Sequence, residues 1–357
     1  MGRFRVYVYA ICKNESQFVT RYMASMREAD AVYVLDTGST DDTVEKLKKE
    51  GAVVRQEIIS PWRFDTARNH SLQMVPEDAD ICVCTDLDEV FLPGWRQKIE
   101  EAWARGADQL RYKYVWRFTP DGKEDVVFYA DKIHARRGFS WMHPVHEVLT
   151  YEGTPRKILA EGMQLNHYPD LQKSRTQYLP LLELSVQEDP QDDRNWHYLG
   201  REYLFTGQYD KCIQTLKHHL TLPTAVWRDE RSASLRYIAC AYGEKGNRYE
   251  QESYLLRAAA EAPHLREGWL DLARFSYQDM NWPAVMYFCE RALSIRDRPR
   301  TYITEGASFG ALPYDLLSVA AFHLGIKAKA LDAINAAIDL EPENERLLKN
   351  REWIEKM

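Results

Sequence analysis

Residues 82–91 read CVCTDLDEVF, an apolar run of strand-forming residues that ends in Asp86, Asp88 and Glu89. Charge at the carboxyl end of a buried strand is typical of open α/β sheets, where ligands gather beyond the strand ends. Two carboxylates at positions i and i+2 of an extended segment project to the same side, and they repel each other unless a cation or a proton lies between them. This stretch therefore predicts a buried strand that leads into a site where a cation or a proton lies between the carboxylates.

Strand-like and helix-like runs alternate upstream of this stretch. The strand-like runs are FRVYVYAI, AVYVLD and AVVRQEII, which begin at residues 4, 31 and 52. A helix is expected around Glu15–Glu28, and a second in TVEKLKKE, which Gly51 ends. Such alternation predicts βαβ units. The expected fold of this part is therefore α/β, with a Rossmann-like and mainly parallel sheet.

The second half of the chain has the periodicity of a helical repeat. The tetratricopeptide spacing is reproduced by Trp196, Leu199, Gly200, Tyr203, Gly207, Tyr209 and Leu216. In that repeat, two paired helices bury these positions against each other. The same template fits stretches that start near Leu235, Trp269 and Tyr314, and the first two of these starts are 34 residues apart, the period of the repeat. An all-α solenoid is therefore expected here.

The change of periodicity predicts three parts along the chain. They are an α/β domain over residues 1–170, a connecting helix and linker over 171–190, and about four repeats over 191–357. The connecting helix is expected from about Leu171 to Gln187. Because two of the repeat spacings exceed the period, insertions are expected near 224–231 and 298–310.

Composition excludes several classes of protein. The chain has 357 residues, of which 45% are hydrophobic, and a formal net charge of −7, so a surface built to grip nucleic acid is not expected. The six cysteines form no CxxC pair, which favours reduced core residues. No apolar run is long enough for a signal peptide or a membrane span, and the expected localisation is cytoplasmic.

A second polar loop follows the strand AVYVLD. In VLDTGSTDDTVE, residues 34–45, Asp36 ends the strand and Gly38 permits a tight turn. A carboxylate here can bind a ribose or a base, although a plain capped loop is equally compatible with these residues. Carboxyl ends of parallel strands meet at one edge of a sheet, so this loop should lie beside Cys12–Glu15 and the carboxylates of 86–89.

Histidines and a further carboxylate form another cluster. Residues 141–147, WMHPVHE, contain His143, His146 and Glu147, and His167 follows in QLNHYPD. Aromatic, histidine and glutamate residues packed around one proline favour a pocket lining over isolated surface positions. An incomplete set of hard oxygen ligands suits Mg²⁺ or Mn²⁺, which retain waters and bind substrate phosphates.

Five separated motifs resemble those of inverting, family 2 glycosyltransferases of the GT-A fold. They are YAICKNE, DTGSTDDT, FDTARN, DLDE as the Asp-x-Asp motif, and HPVHE, which begin at residues 9, 36, 64, 86 and 143. The resemblance covers roughly the first half of the chain. The second half resembles tetratricopeptide repeats. Bacterial enzymes that join such a transferase to such repeats are similar in organisation, and the peptide S-glycosyltransferases of glycocin biosynthesis are a looser comparison.

The resemblance implies roles for particular residues. The implied nucleotide-sugar site is formed by Cys12, Asn14, Glu15, Asp36, Gly38, Arg68, Asn69, Asp86 and Leu87. The implied metal ligands are Asp88 with His167 or His146, and the implied ion is Mn²⁺ or Mg²⁺. Glu147 is the implied base that deprotonates the acceptor, with Asp131 as the alternative. The His-Glu pair of HPVHE departs from the family's commoner patterns and leaves both choices open.

The implied activity is that of a metal-dependent hexosyltransferase that uses a UDP-sugar as donor. One displacement would move the sugar to an acceptor hydroxyl or thiol with inversion at the anomeric carbon. The implied acceptor or partner is a peptide or protein in the repeat groove, while a saccharide or a lipid-linked acceptor stays open. The repeats can equally mediate homo-oligomers. Modified DNA is disfavoured by the acidic chain, although Lys132, Arg136 and Arg137 could face a polyanion.

Two other classes of protein fit the residues less well. A tetratricopeptide scaffold with an inactive nucleotide-binding domain would be expected to have lost its carboxylates, whereas Asp36, Asp86, Asp88 and Glu147 are present. A nucleotidyltransferase would need a glycine-rich basic loop after the first strand, and AICKNE contains no glycine. The residues therefore favour the transferase.

Overall fold

The computed structural model describes residues 4–119, 121–170 and 178–357. The chain divides into two compact units, residues 1–185 with 300–302 and residues 186–299 with 303–357. The first part of the predicted connecting helix, residues 171–177, lies outside the described residues, and its described part is a helix over Tyr178–Glu188.

The first unit is built on an eight-stranded sheet. Its strands are β1 (Val6–Cys12), β2 (Ala31–Asp36), β3 (Val53–Gln56), β4 (Ile81–Thr85), β5 (Glu89–Phe91), β6 (Gln109–Phe118), β7 (Glu124–His134) and β10 (Lys157–His167). They lie in the order β3-β2-β1-β4-β7-β6-β10-β5. β8 (Phe139–Met142) and β9 (Val148–Tyr151) form a separate antiparallel pair.

The predicted α/β fold is confirmed, and the sheet is mixed. The pairs β1–β2, β2–β3, β1–β4 and β6–β10 are parallel, whereas β4–β7, β6–β7 and β5–β10 are antiparallel. The parallel half is the part in which strands alternate with helices. The antiparallel half begins at the β6–β7 hairpin, whose short connection leaves no room for a crossover helix.

Four helices pack against the sheet of the first unit. They are α1 (Val19–Ser25), α2 (Thr43–Lys49), α3 (Phe64–Gln73) and α4 (Trp95–Trp103). A further helix, α5 (Tyr178–Glu188), follows the sheet in the chain. α1 is shorter than the helix expected around Glu15–Glu28. The reason is that the preceding residues form a loop, in which Asn14 has φ 55° and the main-chain nitrogen of Glu15 donates to Thr43 Oγ1.

The central strands are buried on both faces, which explains their continuous apolar runs. Val8 and Val83 pack into the core on one side of the sheet, whereas Tyr9 and Cys84 pack on the other. β1 and β4 accordingly contain no charged residue, and charge begins in the polar loops beyond their ends.

The second unit consists of four consecutive helix pairs and a final helix. The pairs are α6 (Asp193–Phe205) with α7 (Tyr209–His219), α8 (Arg228–Glu244) with α9 (Arg248–Glu261), α10 (Arg266–Gln278) with α11 (Trp282–Ser294), and α12 (Leu312–His323) with α13 (Lys327–Leu340); α14 is Glu345–Glu355. The predicted insertions fall between α7 and α8 and between α11 and α12. The latter includes a short 3-10 helix over Gly306–Phe309.

Two glycines show why the repeat spacing demands small residues. A Cβ on Gly200 of α6 would lie 2.3 Å from Leu216 Cδ2 of α7, so the two helices approach too closely for any side chain there. Gly207, between the same helices, has φ 71°, a conformation that favours glycine. The first pair therefore owes its close packing to both residues.

The described residues contain no helix long and apolar enough to cross a membrane. All six cysteines are unpaired, and only Cys240 is exposed.

Candidate active site

The structure brings the polar stretches after β1, β2 and β4 to one edge of the sheet. Cys12 at the end of β1 is in register with Asp36 at the end of β2. Thr85 at the end of β4 is in register with Ala10 of β1, so Asp86 follows directly beyond the same edge.

Asp36 fixes the loop after β2. Its fully buried carboxylate accepts hydrogen bonds from the main-chain nitrogen atoms of Gly38, at 3.2 Å, and Ser39, at 3.1 Å. The Ser39 hydroxyl and the Cys12 thiol also donate to it. Gly38 has φ 107°, which allows the tight turn. Hydrogen-bond donors of the protein thus surround the Asp36 carboxylate, and these bonds hold the loop after β2 in its conformation.

Asn14 ties the loop after β1 to the loop after β2. Its Oδ1 accepts a hydrogen bond from the main-chain nitrogen of Thr40 at 2.8 Å, and its own main-chain nitrogen donates to Ser39 Oγ at 2.8 Å. Glu15 is buried beside it. The two loops therefore form one rigid wall, which a nucleotide could contact.

Arg68 of α3 joins two carboxylates that are far apart in sequence. Its Nε donates to Glu147 Oε1 at 2.7 Å, and its Nη2 lies 2.8 Å from Asp86 Oδ1. The guanidinium also lies over the Trp141 ring, 5.4 Å from its centroid. Burial opposes the charge of Arg68, but Asp86 and Glu147 raise its pKa well above the usual value.

The loop that carries Glu147 is held against the same helix. The main-chain nitrogen of Phe64, the first residue of α3, donates to Pro144 O at 2.9 Å. His143 and His146 have φ 79° and 51°, a strained conformation for residues other than glycine that is found often at functional sites. Together with the Arg68 ion pair, this fixes the position of Glu147.

Lys132 and Glu89 extend the network, and neither is among the site residues that the resemblance implies. Lys132 Nζ lies 3.2 Å from Glu89 Oε1 and 3.4 Å from Asp86 Oδ2. Burial raises the pKa of Glu89, as do the nearby charges of Asp86 and Asp88. Burial also works against the ionised form of Asp86, but Arg68 and Lys132 hold its pKa well below the usual value. Successive side chains of a strand point to opposite faces of the sheet. This alternation along β7 is the sequence signal that could have placed Lys132 on the other face from Asp131.

Asp88 and His167 form a pair beyond the end of β4. Their Oδ2 and Nε2 atoms are 3.2 Å apart. The other ring nitrogen, Nδ1, lies 3.0 Å from Trp116 O, which can only accept a hydrogen bond, so Nδ1 carries a proton. In a neutral ring the lone pair of Nε2 then faces a carboxylate, an arrangement that requires a proton or a cation between them. Although burial opposes it, the hydrogen bond and charge of Asp88 raise the pKa of His167.

Four residues of the predicted site belong neither to the Arg68 network and the Asp88–His167 pair nor to the wall formed by the loops after β1 and β2. Asp131 is paired on the opposite face of β7 with Arg111 and Lys157, at 2.8 and 2.6 Å. Both amide atoms of Asn69 bind the main chain of Trp141, and the Leu87 side chain lies in the hydrophobic core. The His146 ring packs edge-on against Tyr178, with 5.8 Å between centroids.

Among the described residues, the pair formed by Asp88 and His167 belongs to no larger ligand cluster. In the described ranges, no group of three or more histidine, cysteine or acidic residues close enough to share an ion includes Asp88 or His146. A divalent ion held here would therefore complete its shell with substrate oxygens and water, as Mg²⁺ and Mn²⁺ commonly do.

Residues 7–149, which include Asp36, Arg68, Asp86, Asp88 and Glu147, match the family model described as glycosyl transferase family 2. The matched residues lie within the first unit, which is therefore similar to family 2 glycosyltransferases over most of its length. It is joined to a unit of tetratricopeptide repeats, as the spacing and the four helix pairs show.

Solved structures similar to this chain cover about half of it. The MamA protein shares 15% identity, with 47% of this chain and 83% of that chain covered and a TM-score of 0.36. For pilF of Pseudomonas aeruginosa the identity is 12%, the coverage 50% and 72%, and the TM-score 0.39. For a thermophilic TPR protein of Thermus thermophilus the values are 18%, 50% and 89%, and 0.35. Among curated proteins, none matches the chain.

Proposed function

We propose that this protein is a metal-dependent, inverting hexosyltransferase that moves a sugar from a UDP-sugar to a hydroxyl or thiol. The proposed acceptor is a side chain of a peptide or protein that the repeats bind. The observation that supports it most directly is the pair formed by Asp88 and His167, beside the network of Asp86, Arg68 and Glu147.

The donor set of the pair fits a divalent cation. Two ligands at right angles on an octahedral ion, each at about 2.1 Å, are roughly 3 Å apart. The Asp88 Oδ2 to His167 Nε2 distance of 3.2 Å is close to that value. Asp88 and His167 would hold the ion, which when bound supplies Lewis acidity at the donor's diphosphate.

Glu147 is the proposed base. Arg68 holds one of its oxygens, Oε1, and in the described part of the chain no hydrogen bond engages Oε2. That oxygen can accept the proton of the attacking group while the hydrogen bond from Arg68 keeps the carboxylate oriented. Attack from one face in a single displacement inverts the anomeric carbon. Asp131 lies on the opposite face of β7, paired with Arg111, which disfavours it as the base.

The nucleotide would bind to the wall formed by the loops after β1 and β2. Asn14 and Glu15 supply one part of this wall, while Asp36 and Gly38 shape the other. Lys132 places a cation beside Asp86, where a diphosphate would need one.

A screen of nucleotide sugars with Mn²⁺ tests the proposal, first for hydrolysis and then for transfer to peptide acceptors, both followed by mass spectrometry. We expect Asp88→Ala to abolish metal-dependent hydrolysis and to keep the fold, because this side chain lies at a strand end. Glu147→Gln should bind UDP as the wild type does yet lose transfer. Full turnover by Asp88→Ala would remove the metal assignment.

The same screen separates the enzyme from a scaffold. A folded protein that neither binds nor hydrolyses any nucleotide sugar would leave only the repeats with a function. Loss of UDP binding in Glu147→Gln would instead place this residue in the nucleotide site.

A further inference from the structure

Three consecutive helices of the repeat unit bring a histidine and two carboxylates together. Asp193 is the first residue of α6, His219 is the last residue of α7, and Glu230 lies in the first turn of α8. One ligand atom of each residue lies within 4.8 Å of the other two. The glycosyltransferase chemistry uses none of them.

His219 points a ring nitrogen with no hydrogen bond into this cluster. The side chain is fully buried, and its Nδ1 lies 3.1 Å from Ser234 Oγ. Its Nε2 is buried and has no hydrogen-bond partner in the described residues. Leaving such an atom unsatisfied is costly, so a partner is expected.

The distances fit a bound ion better than a hydrogen bond. His219 Nε2 lies 3.4 Å from Glu230 Oε1, longer than the usual hydrogen bond. Two ligands at about 2.0–2.1 Å from a tetrahedral zinc ion are roughly 3.4 Å apart. Ser234 on the other ring nitrogen fixes the ring, as outer partners of metal-bound histidines do.

Charge favours a cation at the same point. The carboxylates of Asp193 and Glu230 both lie beside the buried His219 ring. Two carboxylates beside one histidine carry more negative charge than a protonated imidazole can balance, whereas a divalent ion balances both.

We propose that Asp193, His219 and Glu230 form a site for a divalent transition-metal ion of the zinc class, with water in the fourth position. A mixed nitrogen and oxygen set of this size suits zinc, and the ion would tie α6, α7 and α8 together. The site is independent of the proposed transferase activity.

Zinc binding by the full chain tests this site. The protein is stripped with a chelator, loaded with zinc, separated from unbound metal and analysed by elemental mass spectrometry. Asp88→Ala serves as the background because it removes the candidate metal site of the other unit. We expect this variant to retain one zinc ion per chain, and the added changes Asp193→Asn and Glu230→Gln to weaken zinc binding at least tenfold.

A matched control is available in the same unit. His264 Nε2 lies 2.9 Å from Asp229 Oδ1 in an exposed histidine–carboxylate pair, so His264→Ala should leave zinc content unchanged. Cobalt loading offers a second readout, because a tetrahedral site gives intense visible absorption that the Asp193→Asn variant should lose. Zinc should also raise the melting temperature of the background protein and not that of the variant.

Three results would overturn the site: no retained zinc in the Asp88→Ala background, equal zinc affinity in the triple variant, or equal loss in His264→Ala. Asp193 is only partly buried and asparagine has the same shape, so folding of Asp193→Asn can be verified by circular dichroism before the titration.

Discussion

Arg68 is the residue on which the candidate active site depends most. It is only 4% exposed, and it neutralises Asp86 and Glu147 at the same time. Removing Arg68 would leave two partly buried carboxylates without a shared cation. The loss of folding free energy would exceed the net stabilisation that the ion pairs provide, because unpaired buried charges are destabilising. One side chain therefore links the stability of the domain to the geometry of the site.

Arg68→Lys should reduce activity although it keeps the charge. A lysine ammonium is a point charge and cannot pair with both carboxylates in a fixed geometry. We expect kcat/KM for donor hydrolysis to fall by about 100-fold, which corresponds to roughly 2.7 kcal/mol. Arg63→Lys is the control, because Arg63 precedes the same helix and pairs with Asp65. Equal losses in both variants would mean that the loss of activity comes from a disturbed α3 and not from the ion pairs of Arg68 with Asp86 and Glu147.

Asp131→Asn should affect stability and not catalysis. Although burial opposes it, hydrogen bonds from Arg111 and Lys157 lower the pKa of Asp131. A lowered folded-state pKa gives stability that is present above the unfolded value of about 3.9 and is lost as pH falls through the folded value. The variant should be less stable by about 1 kcal/mol at pH 7, and the difference should vanish in acid.

Denaturant titrations of both proteins from pH 7 to 3 measure this difference. Transfer should continue at the wild-type rate in Asp131→Asn. A variant as stable as the wild type but inactive would instead make Asp131 the base.

At the scale of elements, helix pairs in the repeats are limited by how closely they approach. Gly200→Ala would place a methyl group 2.3 Å from Leu216 Cδ2, in a fully buried contact. We expect a loss of about 1–3 kcal/mol from overpacking, despite the better helix propensity of alanine.

Gly243→Ala in α8 is the matched control. There the new methyl group meets only the end of the Gln251 side chain, which can move. This change should be neutral or stabilising by up to about 1 kcal/mol. Urea unfolding of the two variants gives the comparison, and a stable Gly200→Ala protein would contradict the close approach.

Sequence periodicity predicted the elements well wherever one face or both faces are buried. AVYVLD is β2, the run from Thr43 is α2, and the repeat starts fall on α6, α8, α10 and α12. Patterns in sequence carry no information on partners across the sheet, so the antiparallel half and the pairing of β10 between β6 and β5 could not be derived.

For the candidate site, sequence could indicate residues at the strand ends, but it could not indicate those whose position depends on long-range contacts. Asp86 and Asp88 follow β4 and could be found from their position, whereas His167 is the last residue of β10 and was indicated by the family resemblance. Lys132 sits inside a strand whose face was unknown from sequence, and Asn69 was expected near the nucleotide although its amide binds the main chain of Trp141. Only the assembled sheet shows which side of β7 faces the carboxylates.

At the scale of the whole molecule, the sheet and the candidate active site come from one continuous part of the chain. All eight strands of the sheet lie within residues 6–167. A fragment of residues 1–185 should therefore bind UDP with Mn²⁺ as tightly as the full chain, measured by calorimetry. The fragment 186–357 should be helical by circular dichroism and should not bind UDP. If the fragment 1–185 fails to fold, residues 300–302, which belong to the same unit, are needed for its folding.

The position of β10 has a consequence for synthesis of the protein. β10 is the last strand of the sheet to be made, yet it inserts between two strands that precede it in the chain. The growing polypeptide cannot complete its sheet until this strand has left the ribosome, and the same strand ends in His167. Competence to bind the proposed ion therefore arises in the same event that completes the sheet, so a chain interrupted earlier lacks both.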